Sequence, residues 1–242
     1  MDISLKLLQW AAWAPGVTTQ DDWRAWARDE KVIGPDGQPA LDFVPALARR
    51  RMSRVTRMSI QAAENCRGDK RNITTVFASR HGEIQRSFGI LESVAAAEPV
   101  SPADFSVSVH NTAAGLYSIQ RHDRSPSTSI SAGVDTLEAA FVETYAQLHG
   151  GNDEVLLVMA DEPVPSAYRE FVDETEYPYA LALHLARCDQ PALTLALRKR
   201  TSTAAHPPPP GTHPLPHALQ LLRLLCGSNT DAWGRWQWEY RP

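Results

Sequence analysis

Apolar residues alternate loosely over residues 3–12 (ISLKLLQWAA), which predicts a strand, with Trp10 and Trp13 at its end and Ala14-Pro15-Gly16 turning the chain. Thr18 or Thr19 is placed to cap a short helix through Trp23 and Trp26, and residues 31–45 read as a loop. Leu47, Met52, Val55, Met58, Ile60, Ala62 and Ala63 recur at helical spacing over residues 45–67, with arginines between them. A β-branched run at 73–79 (ITTVFAS) predicts a strand, the polar turn Arg80-His81-Gly82-Glu83 follows, and residues 84–97 read as a helix. A turn or short helix begins at Ser101. Residues 107–120 form an apolar segment rich in small residues, expected as a helix that permits close backbone approach.

A short strand at 128–131 then runs into a sharp turn, Ala132-Gly133-Val134, that opens a helix over 135–149. Leu137, Phe141, Tyr145 and Leu148 give that helix one core-facing stripe, and Gly150-Gly151 ends it. The unbroken apolar run at 155–159 predicts a strand buried on both faces, as in a central parallel strand. Residues 161–177 read as an acidic loop with a short helix. Residues 179–187 and 193–199 read as an antiparallel pair of strands. A proline-rich connector (201–216), a leucine-rich helix (217–226) and an aromatic strand (233–240) complete the chain. The order implies an α/β fold, helices layered on a mixed sheet, with one domain over 1–200, the connector, and a C-terminal helix and strand appendix over 217–242.

The 242 residues carry a formal charge of −4, which argues against a nucleic-acid partner. Three scattered cysteines without a CxxC fit thiols in a reducing compartment, and no run approaches a membrane span, so a soluble cytoplasmic protein is expected.

Chemical motifs are sparse. No HExxH, CxxC, P-loop or GxGxxG occurs, and no cofactor is implied. His206, His213 and His217 lack a carboxylate or cysteine nearby in sequence, so no metal is expected. Ser125, Ser127 and Ser129 suit turn and ladder roles, and Asp161-Glu162 suit structural hydrogen bonding at a strand end. Arg49, Arg50, Arg51 and Arg54 form either a solvated face with ion pairs or a docking patch for an acidic carrier protein or partner subunit. A strand turning abruptly into a helix is where many folds present a nucleophile. Here the turn offers only Ala132, Gly133, Val134 and then Asp135.

These segments together resemble the N-terminal half of the β-ketoacyl synthases of the thiolase fold. Asn111 with Ala114-Gly115 resembles the family's small-residue helix, Ser125-Pro126-Ser127 its Gly-Pro-Ser, residues 135–149 its nucleophile helix, and Glu162 its strand-end glutamate. Arg50, Arg51, Met52 and Arg54 resemble its Arg-Arg-Met helix. A more exact likeness is to short synthase-like, chain-length-factor-like subunits of aryl polyene and xanthomonadin-type pathways. That likeness rests on the Trp10 to Gly16 opening, Ser79-Arg80-His81-Gly82-Glu83, Ser108-Val109-His110-Asn111 and Asp161-Glu162-Pro163.

The resemblance places Val134 at the position of the active cysteine, and the chain is too short for the half that carries the family's two active-site histidines. It implies a non-catalytic subunit that pairs with a catalytic β-ketoacyl synthase, with an acyl carrier protein as a second partner. Phe105, Val109, Leu116 and Tyr117 are then expected to line or plug a partner's acyl tunnel, with Asn111, Ser129 and Ser131 at the interface; filling of this chain's own core stands as the other reading of the four. Two other roles stay open: a homodimeric carrier-binding scaffold or vestigial half-synthase, and a standalone hydrolase or decarboxylase using His81 or His110.

Overall fold

Alternation along the central strands Glu154–Asp161 and Tyr179–Arg187 distributes their side chains over two helical layers, while the first strand alternates buried with exposed residues and shifts register between Leu7 and Gln9. The computed structural model describes residues 2–188, 194–199, 213–228 and 235–242. β1 (Asp2–Trp13) is followed by a turn in which Ala14 and Val17 exchange backbone hydrogen bonds of 2.9 and 3.0 Å. α1 (Gln20–Ala27) begins at Thr19, which accepts from the Asp22 N–H while the Asp22 carboxylate accepts from the Thr19 N–H. Then come α2 (Ala46–Arg49), α3 (Arg54–Cys66), β2 (Thr74–Ala78), α4 (Ile84–Ala95), α5 (Pro102–Phe105) and α6 (Thr112–Arg121). β3 (Ser127–Ile130), α7 (Thr136–His149), β4 (Glu154–Asp161), β5 (Tyr179–Arg187), β6 (Thr194–Lys199), α8 (His217–Leu225) and β7 (Trp236–Arg241) complete the order.

The strands form one mixed sheet in the order β3-β2-β4-β5-β1-β6-β7. β3, β2 and β4 are parallel, and every other pairing is antiparallel. In β4, Val155, Leu157 and Met159 join the core beneath α1, α7 and α8, while Leu156, Val158 and Ala160 join the core beneath α3 and α6. That double burial explains its unbroken apolar run. β5 sorts its residues by size: Leu181, Leu183 and Leu185 face the first core, and Ala180 and Ala182 face α3. The alanines let α3 approach closely enough for the Cys66 thiol to donate to the Ala182 carbonyl at 3.3 Å.

Several expectations are corrected. The helix expected over 45–67 is broken at 50–53, because Ser53 leaves helical geometry to cap α3, accepting from the Thr56 N–H at 3.1 Å. The small-residue helix begins at Thr112, not at 107. β5 and β6 do not pair with each other; β1 lies between them and pairs with both. β4 is parallel to β2 but antiparallel to β5. The C-terminal segment is no appendix: α8 buries Ala218, Leu219, Leu221 and Leu222 in the first core, and β7 extends the sheet from β6. Residues 189–193, most of the proline-rich connector (201–212, with His206) and residues 233–234 lie outside the described residues.

Leu222 is fully buried. Leu222→Ala is therefore expected to cost about 2–5 kcal/mol, read from urea denaturation. A cost near zero would return α8 to the status of an appendage.

Candidate functional site

The carboxyl ends of the parallel strands converge on one buried carboxylate. Asp161, at the end of β4, accepts from Ser79 Oγ at 2.7 Å and from the Arg80 and His81 N–H groups at 3.1 Å each. Ser79 Oγ in turn accepts from the Gly82 N–H at 2.7 Å, and His110 Nε2 bonds the Ser79 carbonyl at 2.8 Å. Gly82 has φ +58°, and a Cβ there would lie 2.9 Å from His110 Cδ2, so glycine is required both by backbone conformation and by space. Burial pushes the Asp161 carboxyl up to about 6, although its hydrogen bonds and Arg80 pull the other way. The neighbouring Glu162 points elsewhere, pairing with Arg54 Nε at 2.7 Å.

This turn forms one wall of a cavity of about 340 Å³, bounded also by the loop after β4 and by Pro216. Ile84, Tyr168, Phe171 and Tyr177 make its apolar lining; His81 and Glu174 are among its polar groups. Burial, then Arg80, lowers the proton affinity of His81, and burial raises Glu174 to about 6. Arg80 pairs with Asp173 at 2.7 Å and Glu174 at 3.4 Å. Its carbonyl accepts from Ser131 Oγ at 3.1 Å, which joins the cavity wall to the end of β3.

Beyond β3 the predicted sharp turn is present. Gly133 adopts φ +61°, residues 133–135 form a single 3-10 turn, and Thr136 Oγ1 accepts from the Ala132 N–H while donating to the Gly133 carbonyl. Val134 stands at its tip, 44% exposed. Its hydrocarbon side chain supplies no nucleophile. Cys66 and Cys226 lie away from this turn, in the packing of α3 and α8, and burial pushes their thiols up to about 12 and about 11. Directly behind the turn, buried Glu138 of α7 accepts from Trp238 Nε1 at 3.1 Å. Its Oε1 also lies 2.9 Å from His217 Nδ1. Burial opposes the charging of His217, but Glu138 and nearby carboxylates outweigh it, and its proton affinity is raised.

The remaining sequence-selected residues divide between surface and core. Phe105 (64% exposed) and Val109 (49%) project outward, and Asn111 and Ser131 are exposed. Ser129 is half-buried on β3, the edge strand. Leu116 is partly buried against the second core. Tyr117 is 2% exposed and packs on Phe77, so it fills this chain's own core and is not available to a partner. Arg49 is committed to the Ala40 and Leu41 carbonyls, and Arg54 to Glu162 and the Pro35 carbonyl. Of the four arginines proposed for docking, only Arg50 and Arg51 are exposed and without an ion pair among the described residues.

Sequence reasoning missed Glu138, Glu174, Arg80 and the aromatic residues of the 164–177 loop. Glu138 had one legible signal: it is a carboxylate beside Leu137 on the stripe that carries Phe141. Glu174 had none, since its partners lie far away in sequence.

A family model described as "Beta-ketoacyl synthase, N-terminal domain" matches residues 23–240. A search of curated proteins finds no match. Among solved structures, the chain is similar to one described as a ketosynthase (ApeO) in complex with its chain length factor (ApeC) from Xenorhabdus doucetiae. The identity is 27% and the TM-score 0.82, covering 99% of this chain and 100% of that one. It is also similar to the ishigamide ketosynthase/chain length factor, with 14% identity, a TM-score of 0.64, and coverage of 84% of this chain and 69% of that one. A third is a type II PKS acyl-carrier protein in complex with its ketosynthase bound to the hexaketide, with 12% identity, a TM-score of 0.56, and coverage of 77% and 64%. The last two show likeness of fold alone. Among the described residues no helix is long and apolar enough to cross a membrane.

A carboxyl that binds protons more tightly folded than unfolded adds stability below its unfolded value and loses it as pH rises through its folded value. For Asp161, the rise from 3.8 to about 6 corresponds to at most about 3 kcal/mol. That contribution is expected to disappear between about pH 4 and about pH 7. Urea titrations across this range should show a flatter pH dependence in Asp161→Asn than in the parent. An unchanged slope would assign the effect to other groups.

Proposed function

Because the chain belongs to the β-ketoacyl synthase N-terminal domain family, we propose that it is a chain-length-factor-like subunit that pairs with a catalytic β-ketoacyl synthase without performing condensation itself. One observation carries the reading: the sharp turn between β3 and α7, where the resemblance places the nucleophile, has Val134 exposed at its tip. β3 is an edge strand of the sheet, and its outer edge has no strand neighbour among the described residues. Phe105, Val109 and Ile119 are exposed on the segments between β2 and β3, as are Leu91 and Val94 on α4, a helix with no buried residue. Exposed apolar residues mark a protein interface where they join into one patch.

A partner seated there would continue the sheet from β3 and bury Phe105 and Val109. Val134 would then approach the partner as hydrocarbon, suited to bounding an acyl chain and unable to form a thioester. Similarity to a chain from a ketosynthase and chain-length-factor complex supports this assignment. Arg50 and Arg51, exposed at the break between α2 and α3, offer positive charge to an acidic acyl carrier protein.

Co-expression with a catalytic synthase from the same gene neighbourhood is the test. A stable complex by size-exclusion chromatography is expected, and condensation from carrier-bound substrates should need the synthase's thiol and persist in a Val134→Ala variant. Phe105→Asp and Val109→Asp, both at exposed positions, should weaken the complex at least tenfold while leaving the thermal midpoint of the isolated chain within about 2 °C. Independent purification of the two proteins, or a homodimer insensitive to both substitutions, would defeat the proposal.

A further inference from the structure

Behind the Val134 turn the fold assembles a ligand set that sequence spacing conceals. Asp135 and Glu138 open α7, while His217 opens α8, 79 positions beyond Glu138. One ligand atom from each of the three lies within 4.8 Å of the others. Glu138 is 1% exposed, yet its Oε2 is buried without any hydrogen-bond partner. His217 Nδ1, also buried, sits 2.9 Å from Glu138 Oε1 without the alignment of a hydrogen bond. A buried carboxylate oxygen left unsatisfied carries its full desolvation cost with nothing to offset it. The other two carboxylates nearby are already engaged, Glu174 with Arg80 and Asp135 with Arg235.

We propose that Asp135, Glu138 and His217 form a binding site for a divalent transition-metal ion of the zinc class. One imidazole nitrogen with two carboxylate oxygens is a borderline donor set that favours Zn²⁺ over Mg²⁺. Three protein ligands leave a fourth position open to water. Tetrahedral ligands about 2.0–2.1 Å from zinc stand about 3.4 Å apart, so the wider spacings, which reach at most 4.8 Å, must close while the 2.9 Å His217–Glu138 approach opens slightly. Asp135 and His217 are each partly exposed, which leaves their side chains room to adjust. Trp238 Nε1, already bonded to Glu138 Oε1, would hold that carboxylate in orientation from outside the ligand set. Arg235 is the competitor: its Nε pairs with Asp135 Oδ2 at 3.2 Å and must release that oxygen. A bound ion would tie the start of α8 to the start of α7 directly beneath the turn. This site stands independently of the pairing role.

The test is calorimetric titration of the tag-free, EDTA-treated chain with ZnCl₂, alongside thermal unfolding with and without the metal. One saturable zinc per chain and a raised thermal midpoint are expected, with no response to MgCl₂ at the same concentration. His217→Gln and Glu138→Gln should each weaken zinc binding at least tenfold. Arg235→Ala should tighten it, a gain that a purely structural ion-pair network would not give. If Glu138→Gln fails to fold, Asp135→Asn, at a partly exposed position, serves in its place with the same expected loss. The absence of saturable binding at millimolar zinc would overturn the proposal. So would binding left unchanged by His217→Gln and Asp135→Asn, which would mark an adventitious site on another histidine.

Discussion

The carboxylate of Asp161 is the constraint on which the functional end of this sheet depends. It lies where β4 ends, beside the turn that leaves β2, and three donors of that turn satisfy it. A buried charge is tolerated only when hydrogen bonds replace the lost water. The turn must therefore hold one shape, with Gly82 left-handed and His110 closed over it. Arg80 and His81 then face the cavity, and the Arg80 carbonyl receives Ser131 from the end of β3. One acid thus sets the relative positions of three parallel strand ends.

Around that constraint the molecule divides its chemistry between two faces. The larger core, beneath α1, α7 and α8, takes the leucines of β5. The other face of β5 offers α3 the small side chains Ala180 and Ala182, so helix and strand pack closely there. The strand-turn-helix at 131–136 survives as architecture because Thr136 and Gly133 satisfy its backbone, and neither interaction depends on what stands at Val134. A turn of this geometry can stand without a nucleophile, and here its tip carries Val134.

The polar groups beneath the turn follow another logic. Glu138, Glu174 and Asp161 are all buried or largely so, with Arg80 and His217 set among them. Burial raises the proton affinity of Asp161 and Glu174, while for His217 the nearby carboxylates outweigh the opposing effect of burial. Arg80, Asp161 and Glu174 line the same cavity as Tyr168, Phe171 and Tyr177, so charged and apolar groups share its wall.

By itself the sequence determined the strands, the helices and the turn without a nucleophile, because alternation, helical periodicity and glycine placement are local properties of the chain. It also carried the family likeness, through segments distributed from Trp10 to Glu162. Only tertiary structure decided which partners those elements met. β1 inserts between β5 and β6, which no spacing indicates, because antiparallel pairing across a long connection leaves no local trace. Tyr117 looked like a residue for a partner but fills the core, since the packing of α6 on β2 turns it inward. His217 had no carboxylate near it in sequence and has two in space, because α8 packs back against the start of α7. Burial, charge compensation and ligand geometry are all properties of that packing, so they became visible only in the folded chain.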